Sequence, residues 1–346
     1  MAQRELETTR RQLERWLSSV NVGATDIAVA DLALPTAGAS NETILFRGTW
    51  RADGDAHDER LVLRVQPVTY QLFLDGDVFH QWRAMQAFAR QTSIPVPALR
   101  WAEPSPDVLG APFYVMSHCD GDVPNGYQSA LMTSSTPAQR GALLRNGLTA
   151  LADIHRVDWR DGFGFLRRGD GEQGLSAFLD YVEEWYEWAR AGRRFDSIEK
   201  GLRALRDRMP ADAPTSLSWG DSRPGNIMFS PVDQSVVAVL DWELLQIATP
   251  EADLAWWWMF ERLFGERMGG LPEGALTHEE TLGRYEHALG RPIGDMGYFD
   301  LLAWARFAIT MVRHVDLERG GPGEQMFVDL DAWVTKQLDE AVAARR

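Results

Sequence analysis

The chain carries a single cysteine, Cys119, in 346 residues. That excludes an internal disulfide framework and a zinc site built on several thiolates. Basic charge is in short supply: 35 Lys and Arg stand against 50 Asp and Glu, a formal net charge of −15. A protein that binds nucleic acid through a basic surface is therefore not expected. Long hydrophobic runs are missing too. The longest apolar stretches, such as "LAWWWMF" from Leu254 to Phe260, fall well short of the roughly 20 residues that span a bilayer. The chain opens with "MAQRELETTRRQLERWL", a polar amphipathic helix start rather than a charged-then-apolar leader. The expectations are no membrane partner and a cytoplasmic location.

What is present is ample core material. The composition is 45% hydrophobic and 25% charged, with 14 Trp. These are the proportions of a folded protein long enough for two domains or one large two-lobed one. The acidic balance suits solubility, and an acidic cleft would attract cationic substrates, although net charge alone locates no patch.

Periodicity orders the chain. Leu6, Leu13, Trp16 and Leu17 predict a helix within residues 3–20. Three stretches with strand character follow, "DIAVADLAL", "NETILFRGTW" and "ERLVLRVQP". The turn-rich segments "PTAGASN" and "RADGDAHDE" separate them, which predicts an antiparallel meander. A helix over Asp77–Gln91 presents Val78, Trp82, Met85 and Phe88 on one face. Pro95 and Pro97 end it and lead into an extended segment through Trp101. "APFYVMSH" is one more strand. The polar stretch "CDGDVPNGYQSALMTSSTP" then reads as a hinge or lid. Beyond it helices are predicted over about 137–157, 175–208, 251–265, 277–289, 297–316 and 325–344. Within this region 217–242 is the exception, with loop–strand–turn–strand character. The last helix suits either packing within the chain or a dimer contact.

The chemistry concentrates in "SWGDSRPGNIMF", Ser218 to Phe229, and in "VVAVLDWE" after it. Asp221 sits on a loop between two short apolar stretches, a position that aims a carboxylate into a cleft. Asn226 follows five residues on and offers an amide oxygen to a hard cation. Asp241 ends an apolar strand. Mg²⁺ is usually held by one or two carboxylates together with phosphate oxygens and water. An Asp base, an Asn ligand and an Asp ligand in this order match the catalytic half of the protein-kinase pattern. Each residue also has a plain structural reading: Asp221 and Asn226 as turn residues, and Asp241 as an N-cap before "WELLQIA". It is the combination, with its order, spacing and flanking strands, that selects the chemical reading.

"GDSRPGN" with "LDWE" resembles the signature of the aminoglycoside phosphotransferase family, kinase relatives that phosphorylate small molecules. "LADIHRVDW" (Leu151 to Trp159), "TPEADLAWW", "GAPFYVMSHCDG" and "GASNETILF" extend the resemblance over about residues 34–260. The branch it is most similar to is the one linked with acyl-CoA dehydrogenase proteins. The resemblance implies an α+β, protein-kinase-like fold in two lobes. Residues 1–118 would form the nucleotide-binding lobe with the hinge strand, and 119–346 the helical catalytic and acceptor-binding lobe. It further implies transfer of the ATP or GTP γ-phosphate to a hydroxyl of a small molecule. Asp221 would be the base, with Arg223 in place of the kinase catalytic-loop lysine. Asn226 and Asp241 would hold Mg²⁺, and Ser40, Asn41, Arg64, Ser117 and Cys119 would line the nucleotide site. Asp253 falls at the Asp that braces the catalytic loop. His155, at a helix end, reads as a structural residue, and the glycine signal in "AGASN", at Gly38, is weak.

Three departures stand out. Trp219 replaces the His two residues before the base, Arg64 replaces the phosphate-gripping Lys, and Gln81 falls where its Glu partner would be. Trp219 and Gln81 favour the rival reading of a catalytically impaired pseudokinase, which the intact Asp221, Asn226 and Asp241 oppose. A protein kinase is disfavoured by the absence of an "APE" segment. For the acceptor, Glu183, Glu184 and Glu187 on one helix and Glu279 and Glu280 on another offer acid for an aminoglycoside. The interleaved Trp185, Tyr186 and Trp188 suit a hydroxyacyl-type acceptor equally. Trp256, Trp257 and Trp258 are expected to pack a helix into the C-terminal core, with one of them open to lining the acceptor pocket. The protein is expected to be a monomer or homodimer.

Overall fold

The computed structural model describes residues 4–35, 42–68 and 71–344. It opens with α1 (Leu6–Val20), started by Glu5, whose carboxylate accepts from the Glu7 and Thr8 amides. Three strands follow, β1 (Thr25–Ala33), β2 (Glu42–Ala52) and β3 (Asp55–Val65), then α2 (Val78–Gln91), β4 (Leu99–Glu103) and β5 (Phe113–Ser117). The strands form one sheet in the order β1-β2-β3-β5-β4 with antiparallel neighbours throughout. The predicted meander is thus present, but its second hairpin is tighter than expected. "RADGDAHDE" is not a long turn: Ala52 pairs with Asp55 across Asp53 and Gly54. Both turn residues have positive φ, 54° and 89°, the conformation a two-residue hairpin takes to match strand twist. The Asp77 carboxylate caps α2 through the Phe79 amide.

The larger part contains α3 (Ala130–Ser134), α4 (Pro137–His155), α5 (Leu175–Arg190), α6 (Asp196–Asp207), α7 (Pro250–Arg267), α8 (His278–Leu289), α9 (Gly297–Glu318) and α10 (Glu324–Ala343). Two small antiparallel pairs sit among them. β6 (Ser216–Ser218) pairs with β9 (Gln246–Ala248), and β7 (Ile227–Phe229) with β8 (Val236–Val239). Reciprocal capping boxes, Thr136 with Gln139 and Thr277 with Glu280, start α4 and α8. The continuous helix predicted over 175–208 is broken: α5 ends where Ala191 turns left-handed at φ 46°, and α6 begins after a short connection. Gly192, next in the chain at φ 79°, is the helix-stop residue at that break. α10 packs within the chain, burying Val334 and Leu338 and setting Trp333 edge-on to Trp304. Among the described residues no helix is long and apolar enough to cross a membrane.

The core falls into two clusters. One joins α1 to the sheet through Leu13, Trp16, Ile44, Phe46, Leu61 and Phe113. The other holds the helical part together with α2. The sheet's own helix is therefore anchored to the opposite body. Phe88 on α2 is fully buried between Phe163 and Trp242, with ring centroids 4.8 and 4.2 Å away. His80 on the same helix has its Nε2 2.9 Å from the Leu245 carbonyl oxygen. This anchoring fixes the height of Arg64 and Gln81 over the loops that carry Asp221 and Asp241. Phe88→Ala is expected to cost about 3–5 kcal/mol, read as a lowered midpoint in urea unfolding; a loss below about 1 kcal/mol would show that the ring carries no such weight.

Candidate active site

Two loops make the site, one between β6 and β7 and one after β8. The first turns sharply at Gly220, where φ is +89° and a Cβ would lie 2.2 Å from the Leu244 carbonyl oxygen. Only glycine fits there. Asp253, on the first turn of α7 and fully buried, holds this turn from beneath. Its Oδ2 accepts from the Trp219 amide at 2.6 Å, and its Oδ1 from the Gly220 amide and the Ser218 hydroxyl, each at 2.9 Å. His155 Nε2 lies 2.9 Å from Oδ2. A carboxylate only accepts, so that nitrogen carries the proton, and Nδ1 faces the Tyr285 hydroxyl. Burial pushes the Asp253 carboxyl up, but His155, the Gly220 amide and the Arg306 charge outweigh it and hold it below its ordinary value.

On top of this support Asp221 collects three donors. Asn226 Nδ2 donates to Oδ2 at 2.6 Å and Arg223 Nε to the same oxygen at 3.2 Å; Trp256 Nε1 donates to Oδ1 at 2.8 Å. Asn226 also donates to the Asp221 carbonyl oxygen at 2.9 Å. Its own backbone carbonyl accepts from the Leu240 amide at 2.9 Å, which ties the two loops together. Asp241 sits at φ +60°. It is not a helix N-cap: the chain turns and enters β9.

Arg64 reaches from β3 toward this pair of loops. Its guanidinium donates to the Thr43 hydroxyl at 2.8 Å and to Gln81 Oε1 at 3.3 Å, with Asp241 Oδ1 3.9 Å away. Gln81 therefore occupies the place of the Arg64 partner, as a neutral acceptor. Asp241 Oδ1 is buried and has no hydrogen-bond partner. Burial pushes the Asp241 carboxyl above its ordinary value; Arg64 pulls it down and the Asp221 charge adds to the rise. A buried carboxylate oxygen left open costs free energy unless a cation completes it.

Five of the nine residues expected at the site, Asp221, Arg223, Asn226, Asp241 and Arg64, are thus brought together. Ser40 and Asn41, with Gly38, lie outside the described residues. Ser117 ends β5, and its hydroxyl accepts from Arg100 at 2.9 Å. Cys119 is half-buried, which raises its thiol pKa. Of the five acids expected to recognise amines, the three on α5 are taken, Glu183 by Arg206, Glu184 by Arg168 and Glu187 by Arg190, while Glu279 is exposed. Glu280 caps its own helix. Two contacts escaped sequence reasoning. Trp256 holds Asp221, and Trp219 donates its indole N–H to the Leu240 and Asp241 carbonyl oxygens at 3.0 and 3.2 Å. Nothing in an apolar "WWW" run marks which indole faces a carboxylate.

Comparison with known proteins decides the family. The sequence profile of the APH phosphotransferase enzyme family matches residues 31–291. The chain belongs to the APH phosphotransferase enzyme family. It is 29% identical over 250 residues to acyl-CoA dehydrogenase family member 10 of Mus musculus, a match covering 70% of this chain and 21% of that protein. It is 27% identical over 260 residues to acyl-CoA dehydrogenase family member 11 of Homo sapiens, covering 72% and 31%. The chain thus spans about a fifth to a third of these relatives. Among solved structures, one from Ralstonia eutropha, described as of aminoglycoside phosphotransferase type, superimposes with a TM-score of 0.70 at 23% identity, covering 96% of this chain and 98% of that one. A thermostable mutant of aminoglycoside phosphotransferase APH(4)-Ia, solved in a ternary complex with ADP and hygromycin B, gives 0.59 at 15% identity, covering 96% and 99%. The kinase-like APH fold is shown by these neighbours.

Asp253→Asn is expected to destabilise the protein by about 3 kcal/mol at pH 7, because it strips charge from a buried hydrogen-bonded group. The Asp253 carboxyl is lowered in the folded state, so its contribution is present above the unfolded carboxylate range and is lost as pH falls through the folded value. Urea unfolding at pH 7 and at progressively acid pH checks this. The gap between variant and wild type should close on acidification, and a gap that widens would contradict the assignment.

Proposed function

We propose that this family member transfers the γ-phosphate of ATP or GTP to a hydroxyl of a small molecule. The observation that carries the reading is the triplet itself. Asp221 is held open to the cleft at 14% side-chain exposure, Asn226 is locked beside it, and Asp241 keeps a buried oxygen without a hydrogen-bond partner, with only Arg64 at 3.9 Å. The residues present fit Mg²⁺: Asp241 and the Asn226 amide oxygen would hold it, with phosphate oxygens and water completing the shell. When bound, the ion would neutralise phosphate charge.

The chain's own groups then divide the work. Asp221 accepts the acceptor hydroxyl proton, and Arg223, its Nε kept on Asp221, offers the rest of its guanidinium to the charge of the transferred group. Arg64 faces the phosphates, while Ser40, Asn41, Ser117 and Cys119 border the nucleotide. Catalysis of this kind is mostly positioning and electrostatics. The division into lobes at residue 118 belongs to the same proposal. Of the two acceptor types, the hydroxyacyl type is favoured over an aminoglycoside. The acids on α5 are neutralised by arginines, and the wall beside Asp221 is aromatic, formed by Trp256, Phe260 and Phe307 with Arg223 over the Phe260 ring at 5.4 Å. The pseudokinase rival rests on Gln81, yet Arg64 keeps two side-chain acceptors without a glutamate.

The deciding experiment is Mg²⁺-dependent nucleotide turnover across aminoglycosides, sugars and hydroxyacyl compounds, with wild type and Asp221→Ala compared. Turnover is expected for a hydroxylated acceptor and should fall at least about 10³-fold in the variant. Nucleotide binding with no turnover on any acceptor, alike in both proteins, would overturn the reading in favour of the pseudokinase. Asp241→Asn is expected to melt no lower than wild type without ligand, since burial and the Asp221 charge raise this carboxyl despite Arg64 at 3.9 Å. The same variant should lose the Mg²⁺-nucleotide stabilisation of about 2.7 kcal/mol expected at a hundredfold excess over Kd.

A further inference from the structure

The three donors to Asp221 are not equivalent. Both lone-pair directions of Oδ2 are occupied from within the same loop, by Asn226 at 2.6 Å and Arg223 at 3.2 Å. Oδ1 has a single donor, Trp256 Nε1 at 2.8 Å, and a carboxylate oxygen offers about two acceptor directions. One direction on Oδ1 therefore remains. Trp256 comes from α7, outside the loop, and is only 3% exposed. Its ring is gripped edge-on by Phe260 and Phe307, with centroids 5.5 and 5.9 Å away. The Arg306 guanidinium lies 4.4 Å over its face. Arg306, 2% exposed on α9, also donates to the Gly220 carbonyl oxygen at 2.7 Å. One cation thus fixes both the indole and the peptide that precedes Asp221. A cation over an indole face is attracted by the ring quadrupole and draws electron density toward itself, which strengthens the N–H as a donor.

We propose that Trp256, seated on Arg306, is the positioning residue of the base: it fixes the Asp221 rotamer and leaves one lone pair of Oδ1 as the proton acceptor. The proposal rests on the phosphotransferase reading above and deepens it. In the step it serves, the acceptor O–H bond breaks and its proton passes to Oδ1. The acceptor oxygen forms the new bond to the γ-phosphorus. The bond from that phosphorus to the bridging oxygen breaks, and its electron pair leaves on the nucleoside diphosphate. Without the indole donor the carboxylate is held through Oδ2 alone and can pivot about it, so Oδ1 loses its fixed position.

Trp256→Phe removes the donor and keeps an aromatic ring between Phe260, Phe307 and Arg306. With nucleotide, Mg²⁺ and an accepted hydroxyl compound, or water as the basal acceptor, kcat is expected to fall about 10²-fold, the scale set by misplacing a reacting group. Nucleotide Kd by calorimetry should stay within about twofold, because Trp256 contacts no part of the nucleotide site. An unchanged kcat, or a change confined to Kd and KM, would overturn the proposal. The second readout needs no turnover. In ¹⁵N–¹H spectra of the whole chain, the indole resonance missing from Trp256→Phe is that of Trp256. In Asp221→Asn this resonance should move further than any other indole, and an unmoved resonance would overturn the contact. If wild type turns nothing over, the function fails and the spectra alone decide the positioning. Should Trp256→Phe not fold, Arg306→Lys keeps the charge but loses the flat stacking. It should displace one indole resonance, the one that also moves in Asp221→Asn, and lower kcat. A variant that moves no such resonance would again overturn the proposal.

Discussion

The buried carboxylate of Asp253 is the interaction on which the site depends. A fully buried charge of this kind survives only when its acceptor positions are filled, and four donors fill them: the Trp219 and Gly220 amides, the Ser218 hydroxyl and His155. Those donors come from α4, β6 and the loop after it, while the acceptor belongs to α7. The Asp253 backbone carbonyl takes the Ser222 hydroxyl as well, at 2.7 Å. One residue thus fixes both sides of the turn whose tip is Asp221. The turn admits only glycine at 220, because a Cβ there would lie 2.2 Å from the Leu244 carbonyl oxygen. Placing the base is therefore a matter of stability. The protein holds Asp221 with the free energy that comes from satisfying Asp253.

Charge satisfaction also separates the ligand-facing groups from the structural ones. The acidic helix α5 attracts notice in the sequence, yet each of Glu183, Glu184 and Glu187 has an arginine within 2.7 Å. Partly exposed pairs of this kind contribute little to stability, and they also leave none of these three acids free to greet a cationic substrate. Asp241 shows the opposite pattern. It is buried, its Oδ1 is unfilled, and the nearest cation stands 3.9 Å away. A folded chain keeps such an open acceptor when a ligand completes it, and the place where it does so is beside Asn226 and Asp221.

Much of this was legible in the sequence because it is carried by local spacing. The five-residue interval from Asp221 to Asn226 and the strand before Asp241 each follow from residues near one another in the chain. The α+β division and the helix pattern follow from periodicity in the same way. The break after α5 was marked only by Gly192, a lone glycine in an otherwise helical pattern, a signal that continuous helices also carry. The Trp256 contact was not legible, since indole orientation in "AWWWMF" depends on α9, which lies some fifty residues further on. The pairing of the α5 acids was equally hidden, because the arginines of Glu183 and Glu184 come from other elements.

Two of the three departures in the catalytic pattern, Trp219 and Gln81, put a neutral donor and a neutral acceptor where they still join the parts of the site. Trp219 fills the position of a histidine, and its single indole N–H reaches the carbonyls of Leu240 and Asp241 together. It ties the base loop to the metal loop with one neutral donor, and that tie helps keep Asp241 at its positive φ. Gln81 likewise meets the Arg64 guanidinium where a glutamate would stand. A glutamate would orient the cation and cancel part of its charge. A glutamine orients it and cancels none. Arg64 therefore keeps more of its charge for an anionic ligand, and an arginine presents that charge in a planar fork suited to phosphate oxygens. The substitution that argues for a pseudokinase when the pattern is read as letters thus leaves, in three dimensions, a less neutralised cation facing the cleft.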